Sequence, residues 1–384
     1  MHEWAIGGGV LALAIWIYLA ALRGGFWRVR ADDAPADKPQ PARVVAVIPA
    51  RDEAKCIAET VRSLLQQEFS GDLRVIVVDD GSSDGTAEVA RRAAEDIAAA
   101  TRLTIIAGSA PPSGWTGKLW SVQQGIAAAR AHRPDYLLLT DADIRHHQRS
   151  VAQLVTRAGS GYDLVSHMVR LHCSSFAERL LIPAFVYFFF MLYPPAWIDD
   201  ARRRTAGAAG GCMLVRPAAL DAAGGIEAVR SEIIDDCALA RAIKRSGARV
   251  WLGLTAETKS MRPYGSFAEI GRMISRTAFN QLGHSVPALL VCVVGLGITF
   301  VLPPALLASR RGAAALLGVA AWMLMTVTYA PMVRFYRLNL LWALTLPLAA
   351  IFYLGATVDS ALQYCRGRGG RWKGRVQDPA APPA

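Results

Sequence analysis

Cysteine is scarce and unpatterned in this chain of 384 residues: the six cysteines, at positions 56, 173, 212, 237, 292 and 365, form no C-x-x-C pair and no metal-ligand spacing. That argues against a disulfide framework or a zinc site and suits a reducing compartment. No internal repeat is present, so a solenoid or propeller is not expected. Charge is missing from long stretches. Residues 4–22, 286–308 and 312–333 carry no Asp, Glu, Lys or Arg, and 338–362 contain only Asp359. Each is long enough to cross a hydrocarbon core of about 30 Å at roughly 1.5 Å per residue. Basic residues are also lacking ahead of the first stretch (Met1, His2, Glu3), and no convincing small-residue cleavage site precedes Arg23. The first stretch therefore reads as a retained anchor rather than a signal peptide.

What is present is apolar and basic. Hydrophobic residues make up 53% of the chain, mean hydropathy is +0.27 and the formal charge is +11. With membrane spans in the chain, anionic headgroups and an anionic substrate account for that charge better than nucleic acid does. Arg23, Arg28 and Arg30 follow the anchor, so the positive-inside rule puts the next segment in the cytoplasm. Three C-terminal spans would then leave the tail outside, whereas the basic RGRGGRWKGR (366–375) prefers the cytoplasm; one apolar stretch is expected to be a hairpin or to lie in the interface. Residues 180–197 (LLIPAFVYFFFMLYPPAW) are uncharged but short and broken by three prolines. They fit an interfacial or re-entrant segment, with a buried core helix as the equal alternative.

The chain divides into an N-terminal anchor (1–30), a Pro/Ala/Asp-rich linker (31–42), an α/β domain (43–282), a C-terminal membrane region (283–362) and a basic, disordered tail (363–384). Within the α/β domain, strand signals fall at 43–48, 73–78, 103–106, 136–140, 163–167, 212–215 and 249–252. Helical signals fall at 53–68, 84–99, 118–131 and 235–246. This alternation predicts a mostly parallel sheet with helices on both faces.

Two strands end in acids: VIVVDDGSSDGT (75–86) and LLLTDADI (137–144). Ligands in open α/β sheets bind beyond the carboxyl ends of strands, so two acidic strand ends describe a site for a divalent cation and a polyanionic ligand, with a nucleotide-sugar as the expected one. Ser82, Ser83 and Asp84 are explained by helix capping alone. The adjacent Asp79 and Asp80 are not, because they repel unless something binds them. Asp141 and Asp143 alternate directly after a strand and can converge on Mg²⁺ or Mn²⁺. VAVIPARDEA (45–54) places Pro49, Arg51, Asp52 and Glu53 at another strand exit. Asp235 and Asp236 open a helix, where acids are ordinary but where a general base is also well placed. Arg272 and Arg276 stand one helical turn apart, and Lys118 follows a Gly-containing turn; for these cations the rival reading is contact with headgroups or solvent.

Taken together these motifs resemble, in order over about 43–282, the inverting family-2 glycosyltransferases of the GT-A fold, a Rossmann-like mixed, mostly parallel sheet. With GWTGKLW (114–120) and apolar segments at both ends, the chain looks more similar still to hopene-associated glycosyltransferases, and more distantly to ceramide glucosyltransferases. The resemblance implies that Pro49, Arg51, Glu53 and Asp80 line the nucleotide pocket, that Asp141 and Asp143 form the metal motif for Mg²⁺ or Mn²⁺, and that Asp236 is the base. Lys118 and Arg276 would serve the diphosphate, and Gly210, Gly211 and Cys212 would border the acceptor site. Processive members carry Gln-x-x-Arg-Trp; here Met273 and Thr277 replace the Gln and Trp around Arg276, which argues against a polymerising synthase. The acidic pair is Asp-Asp rather than Glu-Asp.

The expected activity is transfer of a single sugar from a UDP-sugar to a membrane lipid, hopanoid or other, on the cytoplasmic face of a bacterial inner membrane. Alternatives are a polyprenyl-phosphate transferase, a processive synthase and an inactive membrane scaffold.

Overall fold

The computed structural model describes residues 2–32, 41–308, 312–367, 371–372 and 375–376. Eight strands form one sheet: β1 (Arg43–Ala50), β2 (Asp72–Asp79), β3 (Leu103–Ala107), β4 (Tyr136–Thr140), β5 (Ile144–Arg145), β6 (Leu164–Arg170), β7 (Cys212–Val215) and β8 (Val250–Ser260), in the order β3-β2-β1-β4-β7-β6-β8-β5. β1 lies parallel to β2 and β4, and β2 parallel to β3. β7 is antiparallel to both β4 and β6, and β8 is parallel to β6. The consequence decides the site. The carboxyl ends of β1, β2, β4, β6 and β8, and the amino end of the reversed β7, all meet at one edge.

β1 is buried from Val44 to Ala50, as a central strand covered on both faces requires. Helices Ile57–Leu65, Thr86–Glu95 and Ser150–Gly159 contribute to the core on one face, and Gly117–Ala129 and Asp235–Arg245 to the core on the other. The second core runs on into the apolar helices, taking in Trp16, Phe300 and Tyr329. The sheet is mixed, as expected, but it contains a short β5 that the periodicity did not announce, and β8 continues eight residues past its expected end.

Among the described residues five helices are long and apolar enough to cross a membrane: Glu3–Ala21, Phe176–Asp199, Val286–Leu307, Gly312–Phe335 and Leu340–Cys365. Four coincide with the uncharged stretches. They pack together although they come from opposite ends of the chain. Trp16 donates its indole N–H to the Thr299 carbonyl at 2.7 Å, within a π-helical turn that reaches from Gly297 to Val301. Gly9 sits against Leu306 and Leu317.

The segment at 180–197 falls in the helix Phe176–Leu192 and the short helix Pro195–Asp199; the first is mostly buried, with Tyr187 bonded to Thr328 at 2.8 Å and Tyr353 donating to the Leu181 carbonyl at 3.0 Å. It packs against the apolar helices Gly312–Phe335 and Leu346–Cys365 and against the helix Phe267–Ser275. Of the linker, Asp32 is tied down: its N–H reaches the Leu254 carbonyl at 2.7 Å. Residues 33–40 and most of the tail lie outside the described residues.

At Gly318 a Cβ would stand 2.6 Å from the Pro303 carbonyl and 2.9 Å from the Leu306 Cβ, so this glycine sets the approach of two apolar helices. Gly318→Leu is expected to destabilise the detergent-solubilised protein by about 1–3 kcal/mol, the usual cost of overpacking. Thermal unfolding checks it, and an unchanged midpoint would mean that the contact is loose.

Candidate active site

A cavity of about 670 Å³ opens at the acidic edge of the sheet. Pro49, Glu53, Lys118, Asp141, Asp143, Asp236 and Arg276 all line it, together with Gly210, Gly211, Asp235, Arg262, Tyr264 and Arg272. Residues separated by more than 200 positions thus share one wall because the topology collects those strand ends. Apolar side chains line the same cavity: Met168, Val169 and Leu171 from β6 and its exit, Phe185 and Phe189 from the Phe176–Leu192 helix, and Met273.

Lys118 is in the first turn of the helix Gly117–Ala129, whose N-cap Thr116 accepts the Leu119 N–H. Its Nζ lies 3.0 Å from Asp141 Oδ1 and 3.3 Å from Asp235 Oδ2. Burial opposes the ammonium charge, but Asp141, Asp235 and Asp236 together outweigh it and hold Lys118 protonated, well above the ordinary lysine range. The partners of Lys118 in the structure are the acids of the site, Asp141 and Asp235.

Asp236 accepts the Gly210 N–H at 2.8 Å and the Cys237 N–H at 2.7 Å, one on each carboxylate oxygen. A Cβ at Gly210 would come within 3.3 Å of Asp236 Oδ2, so the glycine lets the backbone approach. Burial, then the charge of Asp235, pushes the Asp236 carboxyl up to about 6, against the opposing pull of Lys118 and the two amides. A carboxylate poised there takes a proton more readily than an ordinary aspartate.

On the other side, Asp143 Oδ2 accepts from Arg262 Nε at 2.9 Å and from Ser260 Oγ at 3.2 Å, while Arg262 Nη2 reaches Glu53 Oε1 at 2.6 Å. Arg272 and Arg276 have no carboxylate within ion-pair distance among the described residues, leaving two cations for an anionic ligand.

Arg51 and Asp80 are not among the residues that line this cavity. Arg51 Nη1 lies 2.7 Å from the Asp80 carbonyl and 3.4 Å from its Oδ2, and Asp80 is 5% exposed. The repulsion expected between Asp79 and Asp80 is resolved within the chain, since Asp79 accepts the Ser82 N–H at 3.0 Å while Asp80 faces Arg51. Capping does not account for the serines: the following helix has Gly85 at its N-cap with no side-chain bond, and only Asp84 reaches its start, accepting the Thr86 N–H at 3.1 Å. Ser82 accepts from the Asp52 N–H, Asp84 from the Ala54 N–H, and Asp52 from the Ser83 N–H, which zips the β1 and β2 exits together. Asp52 takes φ 51°, delaying the helix to Ile57 rather than residue 53. Cys212 is a second correction: it is fully buried among the residues of the opposite face, so of that triplet only Gly210 and Gly211 border the cavity.

Arg262, Ser260 and Tyr264 escaped the sequence reading. Their only local signal was the turn MRPYG after an apolar strand.

A mixed α/β sheet of this order, with its acids gathered at one edge, is of the GT-A type. The chain belongs to the family described as Glycosyltransferase like family 2, which matches residues 40–279. It is 30% identical over 183 residues to the undecaprenyl-phosphate 4-deoxy-4-formamido-L-arabinose transferase of Pseudomonas aeruginosa, covering 46% of this chain and 48% of that protein. It is 36% identical over 98 residues to the 4,4'-diaponeurosporenoate glycosyltransferase of Staphylococcus aureus, covering 26% and 23%. The chain spans about half the length, or less, of these curated relatives. Among solved structures it is similar to the mannosyltransferase PcManGT from Pyrobaculum calidifontis in complex with GDP-Man and Mn²⁺, with TM-score 0.58 and 20% identity over 93% of this chain and 99% of that one. At that identity the likeness concerns the fold.

Proposed function

We propose that the protein is a membrane-bound inverting glycosyltransferase that moves one sugar from a UDP-sugar to a lipid hydroxyl, a hopanoid or another membrane lipid, at the cytoplasmic face. The observation that carries this reading is Asp236, a proton-seeking carboxylate on a cavity lined both by carboxylates and arginines and by Phe185 and Phe189. Asp236 takes the hydroxyl proton as the acceptor oxygen bonds to the anomeric carbon. The bond from that carbon to the diphosphate oxygen breaks, and the electron pair leaves with UDP. Attack from the face opposite the leaving group inverts the centre and gives a β-linked product from an α-linked donor. Arg272 and Arg276 receive the developing phosphate charge.

Asp141 and Asp143 would hold Mg²⁺ or Mn²⁺. Among the described residues no group of three His, Cys, Asp or Glu is arranged as a self-sufficient metal site. Two hard carboxylates on a phosphate-binding cavity nevertheless fit these ions, which take one or two carboxylates and complete their shell with phosphate oxygens and water. When bound, the ion supplies charge neutralisation for the leaving diphosphate.

A hydroxyl acceptor is favoured over an acidic one for a physical reason. The relatives' names mention undecaprenyl phosphate and 4,4'-diaponeurosporenoate. Such acids are already deprotonated near neutral pH, so they need no base and are repelled by Asp235 and Asp236. The absence of Trp at position 277 supports one transfer rather than a polymer.

Nucleotide release by the protein in lipid nanodiscs tests the reading, with a panel of UDP-sugars and GDP-mannose, host lipid extract, and Mn²⁺ or EDTA. Release from a UDP-sugar that needs both lipid and metal is expected. Release that is indifferent to EDTA and to lipid, or confined to GDP-mannose, would count against it.

A further inference from the structure

Arg262 stands two residues past β8, and its guanidinium connects two acids that come from different strand exits. Nε binds Asp143 Oδ2 at 2.9 Å and Nη2 binds Glu53 Oε1 at 2.6 Å. Both carboxylate side chains are 11% exposed, whereas Arg262 is 38% exposed and lines the cavity. Its backbone is fixed on either side: the Met261 N–H donates to the Asp143 carbonyl at 2.8 Å, and the Tyr264 N–H donates to Glu178 at 2.7 Å. Only the side chain is placed to leave. Burial opposes the guanidinium charge, but Asp143 and Glu53 overcome it and hold the proton more firmly than in an ordinary arginine.

We infer that Arg262 is an internal competitor of the divalent cation for Asp143, and that it yields this carboxylate only when a nucleoside diphosphate enters together with the cation. The inference rests on the metal role proposed above for Asp143. Arg262 Nε and Ser260 Oγ already take up Asp143 Oδ2, so a divalent ion there must displace a donor and otherwise sits beside the guanidinium charge. A cation arriving alone must separate a partly buried ion pair and leave Arg262 with Glu53 as its sole anion, which is unfavourable. A diphosphate changes the balance, because its oxygens offer the displaced guanidinium a bidentate partner at least as good as the one it gives up. Metal and nucleotide then load together, and the site resists metal without donor. Arg262 is in this sense a positioning residue for the donor complex.

The test is Mn²⁺ binding to the full-length protein in nanodiscs, followed by electron paramagnetic resonance of the free ion, with and without UDP. Wild type, Arg262→Gln, Arg262→Lys and Asp143→Asn are compared. Without UDP, Arg262→Gln is expected to bind Mn²⁺ about tenfold more tightly than wild type, the factor equivalent to losing one well-made charge pair. With saturating UDP the difference should close or reverse, and the variant should bind UDP several-fold more weakly in the presence of Mn²⁺. Arg262→Lys, a point charge that reaches one carboxylate at a time, should fall between the two; it decides the matter if the glutamine variant does not fold.

Equal Mn²⁺ affinity of wild type and either variant without UDP, with binding intact when UDP is added, overturns the competition. Absence of Mn²⁺ binding in every protein even with UDP overturns the metal role itself. Unaltered binding in Asp143→Asn would do the same, so the two failures are told apart.

Discussion

Replacing Asp236 with Asn lowers turnover by about 10²- to 10⁴-fold, the contribution ordinarily made by a positioned general base. Nucleotide binding is retained. Asn removes the charge but can accept at only one oxygen, so one of the two amide hydrogen bonds from Gly210 and Cys237 is lost. Relief of the repulsion with Asp235 offsets that loss, and the fold persists. The pH dependence follows from the raised carboxyl. With its proton held up to about 6, kcat/KM in the wild type rises about tenfold per pH unit below that value and levels off above it. The same shift has a stability consequence of opposite sign. Between the ordinary aspartate range and about 6, the folded chain holds this proton more tightly than the unfolded one. Asp236 therefore favours folding at low pH, and that contribution disappears as the pH rises through about 6. Steady-state rates from pH 5 to 8, with UDP binding measured in parallel, check both statements. A flat profile, or full activity in the Asn variant, would remove Asp236 from the chemistry.

Lys118→Met is expected to damage both stability and the pH profile. The ammonium joins Asp141 and Asp235 at 3.0 and 3.3 Å, and it lowers the Asp236 pKa as well. Without it, three carboxylates face one another with no cation of the chain among them. Breaking a fully buried pair costs several kcal/mol, but Lys118 is 24% and Asp141 37% exposed, so screening reduces the loss to about 1–3 kcal/mol. The kcat/KM profile moves to higher pH by about one unit, because Asp235 then acts on Asp236 opposed only by the two backbone amides. Activity at pH 7 falls and is partly recovered at pH 8. A thermal melt and a pH series separate the effects, and a midpoint of the profile unmoved from wild type would show that Lys118 is only a structural tie.

The polar half of this site was legible before the fold was known because parallel strands leave their carboxyl ends at one edge, and these strands announce their ends by changing from Val, Ile and Leu to Asp. Asp141, Asp143 and Glu53 reach the cavity for that reason. Asp236 was legible as an acid at a helix start, although its special character arises from Gly210, 26 positions earlier, and from burial. Arg262 was not legible. Its partners lie 119 and 209 positions away, and a single arginine before a Pro-containing turn resembles many surface arginines.

The apolar wall escaped for another reason. Hydropathy marks residues 180–197 equally well as interfacial or buried. What places Phe185 and Phe189 on the cavity is the packing of their helix against residues 328 and 353, which composition does not encode. The delayed start of the helix at Ile57 likewise depends on Asp52 adopting a positive φ under the pull of Ser82 and Ser83.

The central claim is that one sugar passes from a UDP-sugar to a lipid hydroxyl with Asp236 as base. The most direct measurement is mass spectrometry, with anomeric NMR, of the lipid formed from a ¹³C-labelled UDP-sugar by the nanodisc-embedded protein and by Asp236→Asn. The expected product carries a single labelled sugar in β-linkage to oxygen of a neutral lipid, and the variant forms none. A ladder of added sugars, a sugar linked through phosphate, or an equal yield from the variant would contradict it.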